Sequence, residues 1–112
     1  MASSASTMSG QLYIIQTTLP GDLEEFKIGS FCQELLESGA ACVHYHQTKS
    51  MFSWEGSIQS MTEWRLQIKT GSQQMTSVLA RAEALHPYDL PELVHWEIDA
   101  EKTYGSWIHS TS

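Results

Sequence analysis

Two short stretches carry side chains that are able to bind a metal ion or a small ligand. His44 and His46 lie two residues apart, and on a β-strand this spacing places both imidazoles on one face, where they can chelate copper, nickel or zinc. We identify no acidic or thiolate third ligand beside them, and a solvated strand face is the alternative interpretation. A third imidazole, His86, opens the second stretch. These three histidines are the candidate metal ligands.

The second stretch, HPYDLPELVHWEID (residues 86–99), holds two prolines four residues apart. Pro87 disfavours the helical conformation at His86 and should end a preceding helix there. Pro91 delivers an extended chain into the apolar run that follows. We therefore predict a rigid corner between a helix and a strand, which presents His86 and Tyr88.

Catalytic motifs are missing from the sequence. It contains no GxSxG, HExxH, P-loop or GxGxxG pattern, so no nucleophile, metal-protease or nucleotide signature is present. Glu63 and Lys69 lie an even number of residues apart in a predicted strand and so share one face. A pair of exposed strand charges is the alternative to a role in a binding site. We expect the protein not to be an enzyme.

The composition limits the classes of partner. The chain has 112 residues and a formal net charge of −7, with only six lysines and arginines. This balance disfavours binding to nucleic acid or to an anionic membrane. Two cysteines, no apolar leader and no membrane-length apolar run indicate a cytoplasmic protein. We predict a disordered tail over residues 1–10 and a single domain over residues 11–112.

The elements that position these side chains follow from the apolar periodicity. A helix is expected between Asp22, as its N-cap, and Gly39, as its stop. A second helix should open at Gly71-Ser72 and end near Leu85, and the chain should close with one amphipathic turn. Strands are predicted at residues 12–15, 41–55, 57–70 and 93–98. The order βαββαβ plus a C-terminal helix indicates an α+β, ferredoxin-like fold.

The two middle strands should form a long hairpin around Glu55-Gly56. A two-residue turn there places Val43 opposite Ile68, so that apolar residues face apolar ones. The same register places His46 opposite Arg65, and this cation works against a metal ion bound at His46. The hairpin register therefore affects the metal hypothesis directly.

The apolar face of the hairpin changes towards its tip. Phe52 and Trp54 lie on the same face as His44 and His46, although that face is polar at the base. Two explanations fit this change of face. A bulge near residues 47–50 would restore one apolar face within the chain, whereas a straight strand would need a neighbouring subunit to cover the tip.

Several motifs, in this order and spacing, carry a family resemblance. They are Ala41-Cys42-Val43, Ser50-Met51-Phe52-Ser53-Trp54-Glu55-Gly56, Ile68-Lys69-Thr70, His86-Pro87-Tyr88 with Pro91-Glu92-Leu93, and Tyr104 with Trp107. By these motifs the chain resembles the CutA proteins, the divalent-cation tolerance family, over nearly all of its length after the tail.

The resemblance implies a ferredoxin-like subunit that forms a homotrimer by strand pairing between subunits, with PII-like architecture, no enzyme activity and no obligatory cofactor. The long hairpin would reach onto a neighbouring subunit. The interface residues implied are Phe52, Trp54, Tyr104 and Trp107, and the residues implied at the clefts between subunits are Glu63, Lys69 and Tyr88.

The resemblance also implies tolerance of divalent metals, copper (Cu²⁺) especially, but this sequence departs from the family's copper site. Gln16 stands where bacterial relatives have a cysteine at the end of the first strand, and Leu85 replaces one of two adjacent histidines. Only His86 of that set carries over. A PII-like sensor that binds a small anionic metabolite in the clefts is the alternative function.

Overall fold

The four strands of the chain form one antiparallel sheet, in the order β2-β3-β1-β4. A computed structural model describes residues 11–111, so the predicted tail at residues 1–10 lies outside the described residues. The elements are β1 (Leu12–Pro20), α1 (Glu25–Glu37), β2 (Cys42–Trp54), β3 (Ser57–Gly71), α2 (Ser72–Leu85), β4 (Leu93–Ile98) and α3 (Lys102–Thr111). The predicted α+β, ferredoxin-like fold is confirmed.

Helix α1 begins later than the sequence predicted. Asp22 is not the N-cap, because Leu23 N–H bonds to Pro20 O at 3.2 Å and the resulting turn delays the helix until Glu25. The predicted stop is correct. Gly39 has a φ of 120°, and Gly39 and Ala40 bond back to the carbonyls of Leu36 and Leu35, which is the Schellman arrangement.

One face of the sheet, which we call the inner face, packs against α1 and α2. Strand residues Ile15, Leu66 and Ile68 are fully buried there beneath Leu35 of α1 and Val78 of α2. The apolar side of α2 therefore faces the core. No helix among the described residues is both long and apolar enough to cross a membrane.

The opposite face of the sheet, which we call the outer face, is covered only at one end. There Ile108 of α3 is fully buried against Leu12 and Ala41. Helix α3 has ten residues, which is longer than the single turn predicted from its apolar positions. The rest of the outer face has no helix over it among residues 11–111.

The hairpin of β2 and β3 is straight and regular. Its register runs without interruption from Cys42 opposite Lys69 to Trp54 opposite Ser57, so the proposed bulge near residues 47–50 is wrong. The turn residues Glu55 and Gly56 have φ angles of 49° and 83°, as a two-residue hairpin turn requires.

The tip of the hairpin extends beyond the rest of the sheet. Pairing of β1 with β3 ends at Pro20 opposite Glu63. Residues 49–54 and 57–62 therefore form a two-stranded ribbon, which we call the hairpin tip. The longest dimension of the molecule is 50 Å. An isolated two-stranded ribbon is only marginally stable in water, so the tip calls for a further packing partner.

Candidate functional site

The corner between α2 and β4 has the conformation that its prolines predict. Helix α2 ends at Leu85, and His86 is extended, with φ −69° and ψ 133°. The ring of Pro87 would clash with His86 in the helical conformation, and this explains the change at His86. The corner holds His86 close to the end of β1 and Tyr88 close to the middle of β3.

His86 ties the corner to β1 through its ring. Its Nε2 lies 2.8 Å from the carbonyl oxygen of Thr18 and 3.0 Å from Thr17 Oγ1, and its Nδ1 accepts the backbone N–H of Tyr88 at 3.2 Å. Because a carbonyl only accepts, Nε2 carries the proton. Neither nitrogen presents a free lone pair, so binding of a metal by His86 would require breaking one of these bonds.

Burial lowers the pKa of His86 below its ordinary value of 6.5, and the bond to Thr18 and the charge of Glu63 oppose this shift only in part. The folded chain therefore favours neutral His86. Below pH ~6.5 the unfolded chain takes up a proton that the folded chain resists.

We expect the contribution of His86 to the free energy of unfolding to be retained well above pH ~6.5 and to fall as the pH drops below it, by at most about 1.4 kcal/mol per pH unit. His86→Gln should flatten that fall, as measured by urea unfolding across the range. His95→Gln, at an exposed position, serves as the control. An identical pH slope in the wild type and His86→Gln would contradict the assignment.

Glu63 forms a buried polar cluster with two hydroxyl groups. Its side chain is only 7% exposed. Tyr88 OH donates to Glu63 Oε2 at 2.9 Å, and Ser50 Oγ donates to Glu63 Oε1 at 2.6 Å. Burial, together with the bond to Glu63, raises the pKa of Tyr88 far above its ordinary value, so Tyr88 remains a hydrogen-bond donor. The structure therefore brings together two of the predicted cleft residues.

A cleft of about 890 Å³ lies between the hairpin tip and the corner, and we call it the hairpin–corner cleft. Its walls are of mixed character. They include the acids Glu63, Asp89 and Glu92, the cations Lys49 and Arg65, and the aromatics Phe52, Trp54 and Tyr88. Arg65 Nε is buried and has no hydrogen-bond partner within residues 11–111. A buried donor of this kind calls for an acceptor from elsewhere.

Lys69 lies outside this cleft. It is six residues from Glu63 along β3, which corresponds to about 20 Å. Its Nζ donates to Tyr104 OH at 3.2 Å and stands 5.2 Å from the centre of that ring. Within one chain the two residues are thus apart, and the place of Lys69 in a cleft between subunits stays a prediction.

His44 and His46 are exposed on the outer face of edge strand β2, as their spacing predicted. The thiol of Cys42 shares that face, and its Sγ lies 3.7 Å from His44 Nε2. Cys42 is only partly buried. As the side chains stand, no three histidine, cysteine or acidic groups in the described chain are grouped to hold a metal.

The predicted interface residues are all exposed. Phe52 and Trp54 are 38% and 48% exposed at the hairpin tip, and Tyr104 and Trp107 stack on each other, with ring centres 5.6 Å apart, on the surface of α3. Large aromatic groups at the surface are typical of contact sites rather than of free surfaces.

The comparison with known proteins decides the family. The profile described as CutA1 divalent ion tolerance protein matches residues 13–111. The chain belongs to the CutA family. A CutA homologue from Danio rerio is 30% identical over 103 residues, which make up 90% of this chain and 67% of that protein.

Solved CutA structures share the fold. The periplasmic divalent cation tolerance protein CutA from Archaeoglobus fulgidus matches with a TM-score of 0.80 and 31% identity, over 89% of this chain and 97% of that one. The PII-like protein CutA from Nostoc sp. PCC 7120, in apo form, matches with a TM-score of 0.76 and 29% identity, over 88% and 95% of the two chains.

The structure adds three side chains for which the sequence predicted no site. Ser50 and Arg65 enter the hairpin–corner cleft, and Cys42 joins the histidine pair. The even spacing of Cys42, His44 and His46 was a readable signal for the last of these, since residues i, i+2 and i+4 of a strand share a face. The bond from Ser50 to Glu63 had a weaker signal, because the two residues are diagonal rather than directly opposite neighbours on one face of the ladder.

Proposed function

We propose that this CutA-family chain is a non-enzymatic homotrimer that takes part in tolerance of divalent cations, copper among them. In this proposal each hairpin tip packs on a neighbouring subunit, and the hairpin–corner cleft becomes a ligand site between subunits. The family's name supports the cation function at the level of the family.

The hairpin tip is the observation that carries the trimer. It bears apolar side chains on both faces, with Phe52, Trp54 and Met61 on one face and Met51 and Ile58 on the other. Met51 and Ile58 are 74% and 75% exposed. Neither apolar face of this ribbon is fully buried within its own chain. Contact with a second copy of the same protein would bury both faces.

The outer face supports the same proposal. Val94 and Trp96 of β4 are 46% and 40% exposed on it, beyond the end that α3 covers. Strands β2 and β4 are the two edges of the described sheet, and an edge strand presents a row of backbone groups that can pair with another chain. Pairing between such edges in a closed ring removes exposed edges and covers this apolar surface in one step.

The cleft residues take defined roles in this proposal. Tyr88 and Glu63 form a fixed, hydrogen-bonded wall, and His86 positions Tyr88 through its ring rather than through a metal. Gln16, at the position of the family cysteine, uses its amide to bond Glu92 at 3.0 Å and Gln67 at 3.0 Å. We therefore place direct cation binding with His44 and His46 on β2.

Light scattering on the purified protein tests the trimer. We expect a mass near three times the 12.6 kDa of one chain at micromolar concentration. A monomer under these conditions would overturn the proposal.

A PII-like sensor is the second candidate, and Arg65 is the observation that favours it. Arg65, whose buried Nε has no hydrogen-bond partner within residues 11–111, lines the cleft together with Lys49, and guanidinium and ammonium groups favour a carboxylate or phosphate ligand. The discriminating measurement is a thermal-shift screen with divalent metals set beside nucleotides and carboxylates. A shift with the anionic metabolites that Arg65→Gln abolishes, with none for the metals, would favour the sensor.

We also propose a cytoplasmic location. Both cysteines, Cys32 and Cys42, are free thiols, which is typical of reducing compartments. Fractionation of cells that express the full-length protein tests this, and recovery in a periplasmic or secreted fraction would overturn it.

A further inference from the structure

The hairpin–corner cleft carries charged groups of both signs. Arg65 and Lys49 line it together with Asp89 and Glu92, and no salt bridge within residues 11–111 involves any of the four. We propose that this cleft binds a free α-amino acid with an apolar or aromatic side chain, as a zwitterion. The inference deepens the sensor candidate, on whose ligand-binding cleft it rests, by naming the class of ligand.

Arg65 is the group that holds the carboxylate of the ligand. Its Nε is buried and has no hydrogen-bond partner within residues 11–111, and a buried donor costs free energy unless an acceptor reaches it. Glu63 lies two residues away on the same face, but its oxygens accept bonds from Tyr88 and Ser50, and it forms no salt bridge with Arg65. A ligand carboxylate fits the fork of donors that a guanidinium group presents.

Glu92 is the group that holds the ammonium of the ligand. Gln67 Nε2 donates to Gln16 Oε1 at 3.0 Å, and Gln16 Nε2 donates to Glu92 Oε2 at 3.0 Å. These two bonds fix the carboxylate of Glu92 at the wall of the cleft. A carboxylate has about four lone-pair sites, so Glu92 retains acceptors for an ammonium group.

The register of the sheet sets the spacing of these two groups. Arg65 lies opposite Thr18, and Gln16, which holds Glu92, precedes Thr18 by two residues on the same face of β1. Two residues along a strand span about 6.6–6.8 Å. In an α-amino acid the nitrogen lies about 2.5 Å from the carboxylate carbon, and a charge-assisted bond adds about 2.8 Å at each end. One amino acid therefore fits between the two side chains.

The remaining walls of the cleft select the rest of the ligand. Phe52, Trp54 and Met61 line its hairpin side, and this apolar surface suits an apolar or aromatic side chain. Asp89 and Glu92 work against a ligand that carries only negative charge, such as a nucleotide, because like charges then face each other. A zwitterion finds a partner of opposite sign for each of its charges.

The test is isothermal titration calorimetry on the full chain, with L-phenylalanine as the probe. Two analogues keep the ring and remove one charge each. N-acetylphenylalanine lacks the ammonium group, phenylalaninamide lacks the carboxylate, and the pair also represents the two ends of a peptide. We expect L-phenylalanine to bind, and each analogue to bind more weakly by about tenfold or more, because a hydrogen bond between charged groups is lost.

Variants of the two charged groups identify the site. Arg65→Gln and Glu92→Gln should each weaken the binding of L-phenylalanine by about tenfold or more. Arg65→Gln should leave the binding of phenylalaninamide unchanged, because that analogue has no carboxylate. The matched controls are Arg81→Gln, which removes the partner of Glu34, and Glu97→Gln, at an exposed position of β4. Both controls should bind L-phenylalanine as the wild type does.

Binding of L-phenylalanine that is weakened by both cleft variants and by loss of either ligand charge would support the proposal. No binding at millimolar concentration, equal binding of either analogue, or wild-type affinity in Arg65→Gln would overturn it. The comparison of the three ligands needs only the wild-type protein, and circular dichroism confirms that each variant is folded. Light scattering and the thermal-shift screen with metals report the trimer and the cation function separately, so failure of the amino-acid site and failure of the proposed function are distinguished.

Discussion

Replacing Phe52 and Trp54 together with glutamate should convert the proposed trimer into a monomer. Both aromatic rings lie at the hairpin tip, beyond the last residue that pairs with β1. Buried aromatic anchors contribute about 2 kcal/mol or more each at interfaces. Loss of two per subunit, with two charges added, should therefore weaken association by about a thousandfold or more.

The measurement is chromatography coupled to light scattering, over a range of protein concentrations. Phe26→Glu is the matched control, since Phe26 is 65% exposed on α1, far along the chain from the hairpin, and the same change of residue should leave the mass unaltered. A doubly substituted protein that keeps the wild-type mass would show that the tip does not hold the subunits together.

Tyr88→Phe should destabilise the fold by roughly 1–3 kcal/mol, the cost of leaving a buried polar group without a partner. The variant removes only the hydroxyl that donates to Glu63 Oε2, and Glu63 is 7% exposed. Solvent cannot easily replace the lost donor there. Tyr13→Phe is the control, because the bond from Tyr13 OH to Gln11 is exposed, and it should change the free energy of unfolding by less than about 0.5 kcal/mol.

A double-mutant cycle separates the hydrogen bond from other losses of packing. In the background of Glu63→Met, where no carboxylate remains to be satisfied, Tyr88→Phe should cost much less than it does in the wild type. Equal costs in both backgrounds, measured by urea unfolding at a fixed protein concentration, would mean that the tyrosine ring rather than its hydroxyl stabilises the corner.

Much of the fold could be predicted because the relevant rules are local. The Glu55-Gly56 turn, with its two positive φ angles, fixes the register of the whole hairpin, and the two-residue period of a strand then assigns every side chain to a face. The extended conformation of His86 follows from the proline after it. The two-residue period also explains why the common face of His44 and His46 was predicted correctly.

The candidate site was harder to predict because it depends on distances between elements. Glu63 and Lys69 share a strand face as predicted, yet one bonds to the corner and the other to α3. The spacing of residues along a strand gives the face on which each side chain lies. It does not give the helix, loop or subunit that covers that side chain. The burial of Glu63 and the partial exposure of Cys42 are likewise set by the tertiary arrangement. The N-cap of α1 was wrongly predicted at Asp22 because the turn before the helix was not evident from the sequence.

The hairpin tip also bears on how the chain completes its folding. Within residues 11–111 the strand pairing of residues 49–54 and 57–62 is only with each other, so in a lone chain their amide protons should exchange with solvent far faster than those of β1 or α2. Strong protection of these amides from hydrogen exchange would then require association with another copy, which is a step whose rate depends on protein concentration. The protection of the hairpin-tip amides should therefore depend on the protein concentration. Hydrogen exchange measured over a dilution series would show at which concentration the subunits separate.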